Sequence, residues 1–132
     1  MKGNMQKYKP LLILILCVFV SKSYAQEVKI LECSWYSVAS LKSEGTYKYS
    51  RGIMANGEIF NDSNFTCANR LYPLGSVLQI TNLENNKSVI VVTTDRIGKR
   101  FANMRVDLSK EAFRKIADLD VGIIKVRVEW IK

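Results

Sequence analysis

The chain contains no histidine. That removes Ser-His-Asp and Cys-His nucleophilic chemistry and histidine-based metal sites together, so any general acid or base must be a carboxylate, a lysine or a tyrosine. Twelve acids are available, and position sets most of them aside. Glu27 and Glu32 lie early, Glu84 falls in a hairpin turn, and Glu111 sits on a predicted helix with Asp118 and Asp120 at its end. Glu129 is on the polar side of a strand, and Glu44 sits among Lys42, Ser43 and Gly45 in an apparent loop. Glu58, Asp62, Asp95 and Asp107 remain. Asp95 directly follows a hydrophobic strand and Asp107 lies between Val106 and Leu108. An acid flanked by apolar neighbours at a strand end is a candidate for the raised pKa a general acid needs. A structural reading stands beside this one: Asp107 can favour the following helix N-terminus, and Asp95 can pair with Arg96 or Arg105. Glu58, in Asn56-Gly57-Glu58, also reads as a turn acid.

The elements that position these acids are mostly strands. Ile124, Val126, Val128 and Trp130 alternate with Lys125, Arg127 and Glu129, the period of a half-buried strand. Residues 76–82 and 88–94 read as strands joined through Glu84-Asn85-Asn86-Lys87, where asparagines tolerate the left-handed conformation of a tight turn. The β-branched run 88–92 predicts a strand buried on both faces. One short helix is expected, with Ser109 as N-cap, Glu111 in the first turn, and Leu108, Ala112, Phe113 and Ile116 at helical spacing. Residues 34–38 and 45–49 are candidate strands, and 51–70 reads as loop-rich. Several short strands and one helix suggest a closed barrel or a sandwich.

The N-terminus predicts export. Lys2, Lys7 and Lys9 precede ten consecutive apolar residues, Leu11 to Val20, and Ser23-Tyr24-Ala25 supplies small residues where a signal peptidase reads. The run is shorter than the ~20 residues of a membrane span. Leu16 before Cys17 is not a lipoprotein signal, so residues 1–25 are expected to be cleaved, with no stable membrane anchor left. The four charged residues of that segment are lysines (2, 7, 9 and 22), which leaves 16 basic and 12 acidic residues in 26–132. The net charge of that part is +4 where the whole chain carries +8. These 107 residues suffice for one ordinary domain. A charge of +4 without Lys/Arg runs argues against nucleic acid and suits an anionic envelope polymer. Cys33 and Cys67 form an even pair in an oxidising compartment, read either as a disulfide or as two buried free thiols. No CxxC or other metal spacing occurs, and no cofactor is expected.

Ordered motifs from about residue 33 onward resemble the RlpA family of septal-ring lytic transglycosylases. Ser34-Trp35-Tyr36, Met54-Ala55-Asn56-Gly57-Glu58-Ile59-Phe60-Asn61 and Thr66-Cys67-Ala68-Asn69 resemble that family's SWYG, TANGE-x-FD and TAAH segments. Leu74-Gly75-Ser76 with Thr81-Asn82-Leu83, Thr94-Asp95-Arg96, and Val106-Asp107-Leu108-Ser109 resemble its LPLGT, VTNL, NDRGP and IDLS segments. The resemblance implies a mostly-β fold, a six-stranded double-psi β-barrel over 26–132 with one or two short helices. It implies lytic cleavage of MurNAc–GlcNAc β-1,4 bonds in peptidoglycan glycan strands, by a monomer in the periplasm or outside the cell. In related barrels, including bacterial expansins, a pair of aspartates matches Asp95 and Asp107, the second being the essential acid. RlpA enzymes themselves are discussed in terms of residues matching Glu58, Asn61 and Asn69. Asn61 and Asn69 cannot carry a proton, and Asp62 points one step away from Asn61 along an extended chain. Asp107 is therefore the expected acid, with Asp95 and Glu58 as further catalytic candidates. Trp35, Tyr36, Asn69 and Arg96 are the expected substrate contacts, the aromatic pair by stacking on sugar faces. The alternatives are a non-catalytic, expansin-like glycan-binding or wall-loosening module, and an inhibitor or partner-binding barrel.

Overall fold

The structure, a computed structural model, describes Gly3 and residues 27–132. The expected signal peptide, residues 1–25, and its cleavage point lie outside the described residues. Six strands close into a barrel: β1 (Val28–Tyr36), β2 (Thr66–Ala68), β3 (Val77–Asn82), β4 (Ser88–Asp95), β5 (Arg105–Ser109) and β6 (Ile124–Trp130), in spatial order β1-β5-β2-β4-β3-β6. β1–β5 and β2–β4 pair parallel and the other neighbours antiparallel. The alternation along each strand explains the closure. Leu31, Cys33, Leu78, Ile80, Val89, Val91, Val106, Leu108, Val126 and Val128 all turn inward and are buried. Each such large apolar side chain contributes roughly 1.5–3 kcal/mol when fully buried. α3 (Lys110–Arg114) brings Ala112 and Phe113 into the same core, with Ile116 just beyond it. Ser109 holds the N-cap position, but its hydroxyl donates to the Asn64 carbonyl (2.6 Å) and accepts no helix N–H.

Several sequence expectations are corrected here. Residues 88–92 are not buried on both faces: Ser88, Ile90 and Val92 face outward and are exposed, because no element among the described residues covers that side of the barrel. Residues 45–49 form no strand. Gly45, at φ +77°, reverses the chain between α1 (Val38–Ser43) and α2 (Thr46–Ser50). α1 forms because Ser37 and Ser40 make a reciprocal capping box and Asp62 accepts the Val38 N–H (2.8 Å). The short α-helices thus number three among the described residues, where one or two were expected.

Cys33 and Cys67 are free, buried thiols rather than a bridge. Cys33 pairs with Val106 on one side of β5, and Cys67 with Leu108 on the other. Two strand spacings of about 4.8 Å place their Cα atoms ~8–10 Å apart, beyond the ~7 Å a disulfide spans. The Asn69 amide donates to the Cys67 sulfur (3.6 Å), and burial pushes that thiol up to about 11. Burial holds Cys33 well above the ordinary thiol range as well.

Candidate active site

The outer face of the barrel carries a second, smaller apolar cluster of Tyr36, Met54, Phe60, Ala68 and Ile97. Beside it runs a row of residues in register across four strands. Ser34 of β1 is opposite Asp107 of β5, Asp107 is opposite Ala68 of β2, and Ala68 is opposite Asp95 of β4. The last pairing depends on a register shift. Cys67 faces Thr93, but Ala68 faces Asp95, so Thr94 is skipped. A shift of one residue changes which face a strand presents. Asp95 therefore arrives beside Ala68, on the face that Asp107 already occupies.

This row floors a cleft of about 690 Å³. One wall is the segment 37–53, a flap built from α1 and α2, which contributes Leu41, Glu44, Thr46, Ser50, Gly52 and Ile53. The other is the arm after β4, with Arg96, Ile97, Gly98, Arg100 and Phe101, and Arg105 at the start of β5. Asp107 is the perturbed acid. Burial first of all pushes its carboxyl up to about 6, and the charges of Glu44 and Asp95 push the same way. The Ser34 hydroxyl, donating to Oδ1 at 3.0 Å, and the Arg105 guanidinium oppose that rise. Arg105 is shared: it pairs with Glu32 (2.9 Å) and lies over the Phe101 ring.

Asp95 is fastened differently. Its Oδ1 accepts the backbone N–H of Ala55 (3.1 Å) and of Arg96 (2.8 Å), so it ties the 54–58 turn and the arm to the end of β4. Glu58 does not join the two aspartates. It is exposed and lines a neighbouring groove of about 750 Å³ with Phe65, Leu74 and Val92.

The expected substrate contacts are redistributed. Trp35 borders the cleft, but its ring packs on the barrel core and its Nε1–H is donated to the Leu119 carbonyl (3.1 Å). Tyr36 also lines the cleft. Phe60 stacks on its ring (4.3 Å between centroids), so that face is closed to a sugar, while its buried hydroxyl has no partner. Arg96 is on the cleft wall, with Nη1 donating to the carbonyls of Asn69 (3.0 Å) and Tyr72 (2.7 Å). Asn69 is fully buried and away from the cleft. Its Oδ1 accepts the N–H groups of Leu71 and Tyr72, and its Nδ2 donates to Thr93 Oγ1 (3.0 Å). It is a loop-fastening amide, not a substrate contact.

Sequence reasoning missed Ser34, Ala68 and Glu44. The first two become visible only through strand register, and Glu44 only once the flap folds over the cleft. Among the described residues no three of Cys, Asp and Glu converge as a metal site. The arrangement offers one carboxyl raised to about 6, in a cleft it shares with Asp95, Glu44 and three arginines. It can donate its proton to a leaving oxygen and take one back.

Comparison with known proteins places this site in context. A family model described as lytic transglycolase matches residues 32–128. The endolytic peptidoglycan transglycosylase RlpA of Pasteurella multocida is 36% identical over 101 residues, covering 76% of this chain and 34% of that protein. Its counterpart in Pseudomonas aeruginosa is 38% identical over 98 residues, covering 74% and 26%. A probable endolytic peptidoglycan transglycosylase RlpA from Treponema pallidum is 42% identical over 74 residues, covering 56% and 23%. The chain spans about a quarter to a third of the length of these relatives. Among solved structures, Streptomyces papain inhibitor superposes with a TM-score of 0.61 at 18% identity, over 80% of this chain and 96% of that one. The apo expansin of Clavibacter michiganensis gives 0.57 at 20% identity, over 80% and 51%. These last two likenesses are of fold.

Proposed function

The chain belongs to the lytic transglycolase family of double-psi β-barrels, and on that premise we propose that it cleaves the glycan strands of peptidoglycan at MurNAc–GlcNAc β-1,4 bonds. The observation that carries this reading is the Asp107 carboxyl, raised to about 6 in a cleft that also holds Asp95. Half of it is protonated at pH 6 and about a tenth at pH 7. Protonated Asp107 donates to O4 of the departing GlcNAc as the MurNAc C1–O bond breaks. The carboxylate left behind then removes the proton from the MurNAc C6 hydroxyl, whose oxygen closes on C1 as a 1,6-anhydro ring. Asp107 regains its proton and no water is consumed. Because the nucleophile belongs to the substrate, one acid–base group suffices where ordinary glycosidases use two carboxylates.

Incubating purified protein with purified glycan strands, followed by mass spectrometry, should yield fragments ending in 1,6-anhydroMurNAc. Binding to the strands with no anhydro product would favour the expansin-like alternative, which the buried, proton-inert Asn69 makes worth testing. The same reading includes export and action as a monomer in the periplasm or medium. An exported protein whose N-terminus is not Gln26, or which elutes as a dimer, contradicts that part.

A further inference from the structure

We propose that Glu44 is a positioning residue of this reaction: the flap brings its carboxylate into the cleft that Asp107 lines, as a like charge added to the burial of that acid. The rate effect rests on the transglycosylase reading, while the coupling itself does not. Glu44 caps the C-terminus of α1, where its N–H donates to the Ser40 carbonyl (2.9 Å) and Gly45, at φ +77°, turns the chain away. That geometry leaves its side chain on the cleft wall opposite the arginine-bearing arm.

The contrast with the other acid of the site is decisive. Asp95 spends an oxygen on two backbone N–H groups. The Glu44 carboxylate makes no hydrogen bond or ion pair among the described residues, and nearby Lys42 lies over the Tyr47 ring (5.0 Å). Glu44 therefore adds a carboxylate to the cleft wall that makes no direct ion pair among the described residues, across from the arginines of the other wall. The groups facing Asp107 are Ser34 and Tyr36 from β1, and Arg105 from its own strand. Asp95 and Arg96 face it from the end of β4, Arg100 from the arm, Glu44 from the flap, and the thiols of Cys33 and Cys67 from the barrel side. Of the two acids that push the Asp107 carboxyl up, Glu44 acts more strongly than Asp95. A flap carboxylate of this kind favours the protonated acid in the empty cleft.

The test is a carboxyl-carbon NMR titration of Asp107 in the full chain, with Glu44→Gln and Glu44→Asp beside the wild type. Glu44→Gln should lower the Asp107 midpoint by on the order of half a pH unit, the effect of one partly screened like charge. Glu44→Asp keeps the charge and should restore most of it. If the wild type turns over, kcat of Glu44→Gln should fall about threefold at pH 7, the ratio of protonated fractions, and converge with wild type at pH 4.5. Thermal stability should be unchanged near pH 4 and rise by roughly a few degrees at pH 7.5, where relieving the like charge favours the folded protein with Asp107 ionised. An Asp107 midpoint that does not move in Glu44→Gln overturns the proposal. Since the titration needs no turnover, a wild type that releases no anhydro product counts against the reaction and leaves the coupling standing.

Discussion

Replacing Asp107 with Asn should abolish turnover and yet make the protein more stable, by an amount that depends on pH. The carboxyl is raised from 3.8 to about 6, chiefly by burial. The folded state thus binds the proton more tightly than the unfolded chain does. Its stabilising contribution is complete below about pH 4 and is lost as pH rises through about 6. Above that, the buried carboxylate costs the difference of 2.2 units, which at about 1.36 kcal/mol per unit is about 3 kcal/mol. Asparagine keeps the shape and can still accept the Ser34 hydroxyl, and it never ionises. Urea unfolding of Asp107→Asn and wild type should therefore coincide near pH 4 and diverge through pH 5 and 6. At pH 7.5 the variant should be ahead by about 2–3 kcal/mol, or about 10 °C or more in Tm for a domain of this size. Anhydro-product release should fall by about 10²–10⁴. A stability difference that is the same at every pH would mean the carboxyl titrates ordinarily, and the assignment of the acid would lose its physical basis.

Further outcomes follow from individual contacts. Ser34→Ala removes the hydrogen bond that holds Asp107 down, so the Asp107 midpoint and the acid–base limb of the rate profile should move to higher pH; a shift downward or none contradicts the contact. Asn69→Ala leaves the buried N–H groups of Leu71 and Tyr72 without their acceptor and should cost about 2–4 kcal/mol in urea unfolding, whereas a loss under about 0.5 kcal/mol would make Asn69 replaceable. Native exported protein should hide both Cys33 and Cys67 from maleimide until it is unfolded, then label twice without reductant. Failure to label after unfolding would indicate a bridge.

The strands were legible where alternation was strict. Ile124–Trp130 reads from its own residues, and Asn86 takes the left-handed turn conformation at φ 59° expected between β3 and β4. The flap was not legible: Tyr47 and Tyr49 favour a strand locally, yet they lie in α2, which follows Gly45 at φ +77° without a side-chain cap, while the capping box and Asp62 start only α1. The two aspartates could be nominated from apolar neighbours. What could not be read is that a register shift after Cys67 brings Asp95 to the face of Asp107, because register is a property of strand pairs. Motif resemblance marked Tyr36 and Asn69 without their environments. Only packing shows that Phe60 covers the tyrosine ring and that four backbone and side-chain partners occupy the asparagine amide.

The position of Glu58 bears on which carboxylate can do the chemistry. Asn56 and Glu58 of the turn at 54–58 line the groove, and no residue of that turn lines the Asp107 cleft. Ala55, in that turn, is fastened to Asp95, and Asn56 is fastened to the Thr94 carbonyl (3.1 Å). The turn is thus tied to β4 at two successive residues. A glycosidic oxygen held against Asp107 is then not also held against Glu58, and the two acids do not share one bond. With Asn69 sealed under the Asn69–Tyr72 loop, the Glu58 groove has no second titratable partner among the residues lining it. The cleft has three acids, an opposing wall of arginines and one carboxyl poised near 6. On the proposed reading proton transfer falls in the cleft, and Glu58→Gln should leave anhydro-product release within a few-fold of wild type while Asp107→Asn ends it. The reverse pattern would move the chemistry to the groove and make the Asp95–Asp107 row a structural device.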